Sequence, residues 1–301
     1  MEQVGCNLCG SIRAKLLFPN TLEGSVKLEA DTFRCTSTEY GRHPPIVKCL
    51  DCGLVYTNPR PVAQDILSSY RQVIDDTYVE ADQQARLPTF RRNFRPLASL
   101  YSGAGRLLDI GCYVGAFLEV ARQQGWDAWG VEPSEWAARL AQDKGFPVSV
   151  GTLRQAGFTS DCFDAVTLWD VIEHLPDPMG ELREVHRILR PGGSVLVHTV
   201  NIDSKFARLM DGRWPWLMEM HLYYFSPRTL CRMLEAAGFA VSARYTQSRY
   251  VTLGYLVSRI GGYSKRLAQE LGHVVRLLRL DNVLVSINMG DLMTVIGRKA
   301  G

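Results

Sequence analysis

The chain has 301 residues, 46% of them apolar and 22% charged, with a formal net charge of +3. This size accommodates one large domain or two modest ones, and this composition is that of a soluble globular protein. So small a charge gives no global case for nucleic-acid binding, and no run of about 18 apolar residues is present to span a bilayer. The opening Met1-Glu2-Gln3-Val4-Gly5-Cys6 lacks the basic start and apolar stretch of a secretory leader, so the expected compartment is the cytoplasm. The eight cysteines are then expected as thiols or metal ligands before disulfides.

Four of them form two pairs, Cys6-x-x-Cys9 and Cys49-x-x-Cys52, each followed by glycine (Gly10, Gly53). Two thiolates on one tight turn can grip one ion, and glycine frees the following N–H groups to approach sulfur. Two such turns supply the four soft ligands of a tetrahedral Zn²⁺ site. A closed four-thiolate set leaves no open position, so the expected zinc is structural. A redox dithiol fits less well, because it uses a single Cys-x-x-Cys within a βαβ pattern. Cys35 is read as unpaired. The segment between the pairs is poor in apolar residues, so residues 1–61 are expected to form a small module that needs metal to fold.

The stretch Gly53-Leu54-Val55-Tyr56-Thr57-Asn58-Pro59-Arg60-Pro61 reads as a strand closing into a proline turn. Residues 62–104 are expected as a helical linker and cap, interrupted near Asp75 and at Pro88 and Pro96. From Arg106 the pattern alternates. Strands are expected at 106–111, 128–132, 148–150, 163–169, 194–200, 239–245 and 292–297. Helices are expected at 115–124, 134–144, near 178–189 and at 227–237, with Arg190-Pro191-Gly192-Gly193 as a turn. Such alternation implies an α/β fold, with a doubly wound, mostly parallel sheet over 105–301 and its ligand at the carboxyl ends of the central strands. Residues 249–289 are expected as a helical insertion packed on the sheet or on another subunit. Its basic residues, Lys265, Arg266, Arg276 and Arg279 against Glu270, leave open a peripheral contact with anionic lipid.

The most informative run is Leu107-Leu108-Asp109-Ile110-Gly111-Cys112-Tyr113-Val114-Gly115, answered by Glu132. A strand ends in a small-residue turn, and a second strand ends in an acid that can accept hydrogen bonds from ribose hydroxyls. Together with GVEPS, FDAVTLWDVIEHLPDP and ILRPGGSVLVHTV, in that order, the run resembles the class I S-adenosylmethionine-dependent methyltransferases over about residues 105–245 and the final strand. Residues 6–61 and His221-Leu222-Tyr223-Tyr224-Phe225-Ser226-Pro227 are similar to a zinc-ribbon subset of these enzymes, often associated with sugar, polysaccharide or natural-product pathways. The resemblance implies a seven-stranded sheet and S-adenosylmethionine as cofactor. It implies that Asp109, Gly111, Cys112 and Gly115 shape the pocket for the methionine part and that Glu132 binds the ribose diol. Thr152 and Leu153 would lie near the adenine, and Trp169 and Asp170 beside the sulfonium. Tyr113 departs from the pattern, standing where many members carry a second glycine, so its ring must point away or form part of the pocket wall.

A hydroxyl acceptor loses its proton during methyl transfer, so a general base is expected, and histidine suits neutral pH. His221 is the preferred base or substrate-orienting group, in a loop rich in Trp, Met and Tyr; His174 and Asp170 are the other candidates. The reading is a methyltransferase acting on a small molecule, with O-methylation of a sugar-containing or natural-product intermediate expected. The acceptor could be a sugar, a sugar nucleotide or a lipid-linked intermediate. The alternatives are an RNA methyltransferase that grips nucleic acid with its ribbon, and a cofactor-binding scaffold without turnover. The ribbon's charges are balanced, which weighs against the first; the intact Asp109, Glu132 and His221 weigh against the second.

Overall fold

β1 (Ala14–Phe18), β2 (Ile46–Cys49) and β3 (Val55–Thr57) pair antiparallel in that order. The computed structural model describes residues 1–22, 30–34, 41–76, 83–101, 103, 105–261 and 264–301; Cys35 lies outside them. Both Cys-x-x-Cys turns close at a glycine in the left-handed region, Gly10 at φ 73° and Gly53 at φ 84°. There the Gly10 N–H donates to the Cys6 carbonyl and the Gly53 N–H to that of Cys49, bonds that a side chain at either glycine would strain.

The main sheet uses β4 (Arg106–Ile110), β5 (Asp127–Glu132), β6 (Val148–Val150), β7 (Phe163–Trp169) and β8 (Leu189–Val200), followed by β9 (Tyr223–Tyr224) in the first sheet and β10 (Phe239–Thr246) back in the main one. A hairpin of β11 (Arg249–Thr252) and β12 (Leu284–Ile287) precedes β13 (Leu292–Lys299). Across the main sheet the order is β6-β5-β4-β7-β8-β13-β10. β4 to β8 run parallel and β13 antiparallel between β8 and β10. The chain turns from building on one side of β4 to the other between β6 and β7, which opens a crevice above β4 and β7.

The sheet is buried on both faces, so its central strands are apolar runs: Leu107, Leu108, Ala165, Val166, Leu168 and Val195 to Val197 are wholly buried. Its helices each bury one stripe, such as Leu182, Val185 and Ile188 of Pro178–Ile188 and Leu230, Met233 and Leu234 of Pro227–Ala236. Their starts are capped by side chains: Ser134 accepts from the Ala137 N–H, Asp177 from Gly180 and Ser226 from Thr229.

Three local expectations need correction. Pro88 and Pro96 do not interrupt a helix; Gln83–Ala98 is continuous through both. Phe94 and Leu97 are fully buried, with Phe94 edge-on to Phe117 and Trp126, and this packing offsets the two missing backbone N–H groups. Arg190-Pro191-Gly192-Gly193 is not a turn ahead of the fifth strand but lies within β8. Phe163 pairs with Leu189 and Ala165 with Ser194, so the extra residues are absorbed as an irregularity in the ladder. The 249–289 insertion is not wholly helical. Its helices Leu253–Ile260 and Lys265–Leu277 are enclosed by β11 and β12, because alternating residues such as Tyr250 and Val251 pair better than they coil.

The first sheet and the main domain are joined by backbone. β9 pairs with β3, Val55 against Tyr224 and Tyr56 against Tyr223, and so extends the N-terminal sheet with a strand from the far end of the chain. Arg60 donates to the Tyr223 hydroxyl and to the Pro176 carbonyl, both at 2.9 Å. No helix among the described residues is long and apolar enough to cross a membrane.

Candidate active site

A cavity of about 840 Å³ opens above the carboxyl ends of β4, β5, β7 and β8. Its floor is the turn after β4. Gly111 lies at φ 69°, and a Cβ there would sit 2.6 Å from Val171 Cγ2, so only glycine lets the turn pass beneath the β7 loop. Tyr113 takes φ 48°, and its ring lies edge-on to Trp136 with centroids 6.0 Å apart; it is part of the wall. Cys112 lines the cavity with its thiol turned toward Gly130, where a Cβ would be 2.5 Å from Sγ. Gly115 does not line the cavity. It packs behind the turn, where a Cβ would meet Ala141 and Phe146, and it starts the helix Ala116–Gln123. Its neighbours Val114 and Ala116 do line the cavity, so Gly115 shapes the turn from behind as the residue that starts the helix.

Glu132 ends β5 with both carboxylate oxygens inside. Oε2 accepts from the Tyr113 N–H at 2.9 Å and Oε1 from the Ser134 N–H at 2.8 Å. Burial pushes its carboxyl up to about 7, opposed by these two N–H groups. Asp109 lies opposite Thr167 in the β4–β7 register and accepts from its hydroxyl at 2.7 Å. Burial holds Asp109 well above the usual carboxylate range, and the Thr167 bond opposes it. Thr152 caps the short helix Leu153–Ala156 through a reciprocal bond with Gln155, and Thr152 and Leu153 both line the cavity. Trp169 and Asp170 line it from the end of β7.

His174 and His221 also line the cavity, ring centroids 4.7 Å apart. His174 comes from the 3₁₀ turn Ile172–His174, and His221 from the loop entering β9. His174 Nδ1 donates to the Met220 carbonyl at 3.0 Å and His221 Nδ1 to the Trp216 carbonyl at 2.8 Å. A carbonyl only accepts, so each Nδ1 carries the proton and each Nε2 keeps a lone pair. Burial pushes His174 down to about 4 and His221 well below the usual imidazole range, so both rings are neutral near pH 7. The Trp216 ring is stacked on His221, whereas Trp214 is buried as core packing.

Three groups at the site are absent from the sequence-based candidates. His198 sits near the end of β8 with Nδ1 at 2.9 Å from the Thr294 hydroxyl and Nε2 at 3.8 Å from Asp170. A histidine near the carboxyl end of the apolar run Ser194–Val200 was its only signal. Glu173 is fully buried against the cavity beside His174. The roof, with Tyr70, Val73, Phe90, Arg249 and Tyr255, comes from the N-terminal helices and the late hairpin. The Ser134 hydroxyl donates to the Val73 carbonyl and the Tyr250 N–H to the Thr89 hydroxyl, which ties this roof to the floor and to itself.

The four cysteine sulfurs Cys6, Cys9, Cys49 and Cys52 converge within 4.8 Å of one another, with Cys6–Cys52 at 3.4 Å and Cys9–Cys49 at 3.6 Å. This is a zinc-ribbon-like cluster, set away from the cavity.

A family model described as a methyltransferase domain matches residues 81–243. The chain is 34% identical over 150 residues to a ubiquinone biosynthesis O-methyltransferase of Aeromonas salmonicida, covering 45% of this chain and 63% of that protein. It is 34% identical over 107 residues to the protein of the same name from Pseudomonas aeruginosa, covering 33% and 46%. The chain thus spans less than two thirds of the length of these curated relatives. Among solved structures, a chain in the complex between the Haloferax volcanii Trm112 methyltransferase activator and a putative methyltransferase shares the fold, with a TM-score of 0.56 at 16% identity over 80% of this chain and 98% of that one. The matched family spans more than half of the residues and includes both the β4 turn and the β7 loop. This protein belongs to the class I S-adenosylmethionine-dependent methyltransferases.

Proposed function

We propose that the chain methylates a hydroxyl oxygen of a small molecule. The observation that carries this reading is one cavity lined both by the Gly111 turn with Glu132 and by two neutral imidazoles whose Nε2 atoms keep their lone pairs. S-adenosylmethionine, when bound, supplies an electrophilic methyl group on a sulfonium. Glu132 would hold the ribose diol, Asp109, Gly111 and Cys112 the methionine part, Thr152 and Leu153 the adenine edge, and Trp169 and Asp170 the region of the sulfonium. These groups fit: the Glu132 oxygens face the cavity with lone pairs beyond those used by Tyr113 and Ser134, and the Gly111 turn leaves no side chain between backbone and ligand. His221 Nε2, which keeps a lone pair, would accept the acceptor hydroxyl's proton during the transfer, with the neutral His174 ring packed beside it. The buried rings and apolar roof exclude water from that transfer.

The two curated relatives named O-methyltransferases support oxygen as the acceptor atom. A sugar-containing or natural-product acceptor is the class that the ribbon-bearing resemblance favours. We assign residues 1–61 to a ribbon module with structural Zn²⁺, 62–104 to a cap and 105–301 to the catalytic domain. The Cys6–Cys52 and Cys9–Cys49 sulfurs, at 3.4 and 3.6 Å, need to open only slightly to reach the spacing of about 3.8 Å set by four Zn–S bonds of ~2.3 Å, and all four sulfurs already lie within 4.8 Å of one another.

Calorimetric titration with S-adenosylmethionine and S-adenosylhomocysteine tests the cofactor assignment. Both are expected to bind, and Glu132→Ala is expected to weaken both at least about tenfold, the loss of one or two charge-assisted hydrogen bonds. Unchanged affinity in Glu132→Ala removes the assignment. An acceptor screen with sugars and phenols then compares wild type with His221→Ala.

A further inference from the structure

Glu173 has no task in the reaction above, yet it is the most demanding side chain in the cavity. It is fully buried, and neither carboxylate oxygen has a hydrogen-bond partner; the Thr199 hydroxyl lies nearby without forming a hydrogen bond. One of its carboxyl oxygens and one ring nitrogen from each of His174 and His221 lie within 4.8 Å of one another. We propose that Glu173, His174 and His221 bind a first-row divalent metal ion of the class that imidazole and carboxylate favour together, separate from the thiolate cluster.

The two histidines are already arranged as ligands. Each gives its Nδ1 proton to a backbone carbonyl, the second contact that fixes ring orientation and directs Nε2 toward a metal. With each Nδ1 committed to a carbonyl, each Nε2 keeps its lone pair, and neither Glu173 carboxyl oxygen has a hydrogen-bond partner among the described residues. A divalent ion would engage the carboxyl and both imidazoles at once, in place of the proton that burial otherwise favours on Glu173. The backbone holds the two segments together: the Leu222 N–H donates to the Glu173 carbonyl at 2.8 Å, and the Thr57 hydroxyl to the His221 carbonyl at 3.0 Å. Bonds of about 2.1 Å need the three atoms to close by roughly an ångström, within reach of side-chain rotation. Three protein ligands leave positions open toward the cavity, where an acceptor oxygen could bind. A metal on His221 Nε2 would occupy the lone pair that the methyl-transfer reading gives to the acceptor proton, so the ion would take over that task by acidifying a bound acceptor hydroxyl, and its occupancy is measured without turnover.

The test is Co²⁺ titration of the full-length protein with its ribbon metal in place, followed by visible absorption. Binding at the proposed site gives weak d–d bands without the sulfur-to-cobalt charge-transfer band of a thiolate site. Wild type is expected to take up one such equivalent. Glu173→Gln and His221→Asn are each expected to weaken it by about tenfold or more, with S-adenosylmethionine binding as the check on folding. No thiolate-free cobalt spectrum in the wild type at millimolar metal overturns the proposal, whatever the variants do. Unchanged cobalt affinity in a folded Glu173→Gln also overturns it. Failure to bind S-adenosylmethionine would count against the methyl-transfer reading and leave the metal result standing.

Discussion

At Glu132 the environment of a single residue sets its acid–base behaviour. A carboxyl pushed up to about 7 holds its proton more tightly in the folded chain than in the unfolded one. It therefore contributes stability below the ordinary carboxylate range that is lost as pH rises toward 7, on the order of 3 kcal/mol at full ionisation. A ribose diol donates to the ionised form, so the cofactor's preference has the opposite sign. Affinity for S-adenosylmethionine is expected to fall as pH drops below about 7, approaching tenfold per unit, and the slope should vanish in Glu132→Gln. Calorimetry across that range checks both. Gly130 sets a second constraint, since a Cβ there would be 2.5 Å from Cys112 Sγ and 3.1 Å from Val148 Cγ2. Gly130→Ala should destabilise by about 1–3 kcal/mol through overpacking. Adding Cys112→Ala should restore much of that, and a denaturant double-mutant cycle with no coupling would show that the thiol is not the obstacle.

At the scale of elements, the pairing of β3 with β9 connects the thiolate cluster to the part of the cavity lined by His221. Thr57, at the end of β3, donates its N–H to the Leu222 carbonyl and its hydroxyl to the His221 carbonyl. On the other side, Arg232 donates to the Cys52 carbonyl, and the Asn7 side chain accepts from the Met179 N–H while its amide donates to Asp177. Such a small module has little apolar core of its own, so a bound metal would supply much of its order. Chelation of the ribbon metal is therefore expected to release backbone protection at Tyr223 and Tyr224 in hydrogen exchange before the β4–β7 core opens. Acceptor affinity should suffer more than cofactor affinity. Equal protection of β9 with and without metal would show that the strand is held by the main domain alone. The helices of the expected cap follow the same logic: Gln83–Ala98 survives two prolines because its apolar stripe has a place to pack, which propensity cannot reveal.

For the whole molecule, the βα alternation from Arg106, the seven strands of the main sheet, the glycine turn and the acid ending β5 were legible in the residues themselves. Each is a local pattern, apolar runs with turn signals between them, and a mostly parallel sheet has few ways to connect them. The thiolate cluster was legible for a similar reason, since spacing within a tight turn decides whether two sulfurs can share an ion. The sequence by itself thus determined the fold class and the glycine turn and acid that line the cavity. Only the tertiary structure decided which distant residues share that cavity with them. His174 and His221 are 47 positions apart in chain number, and their approach depends on β9 joining a sheet whose other strands lie before Arg60. Glu173 became notable only once burial had removed its partners, and His198 only once β8 had placed it beside Asp170. Periodicity and spacing report what the chain does locally; which distant side chains share one water-poor space is settled by long-range pairing and burial.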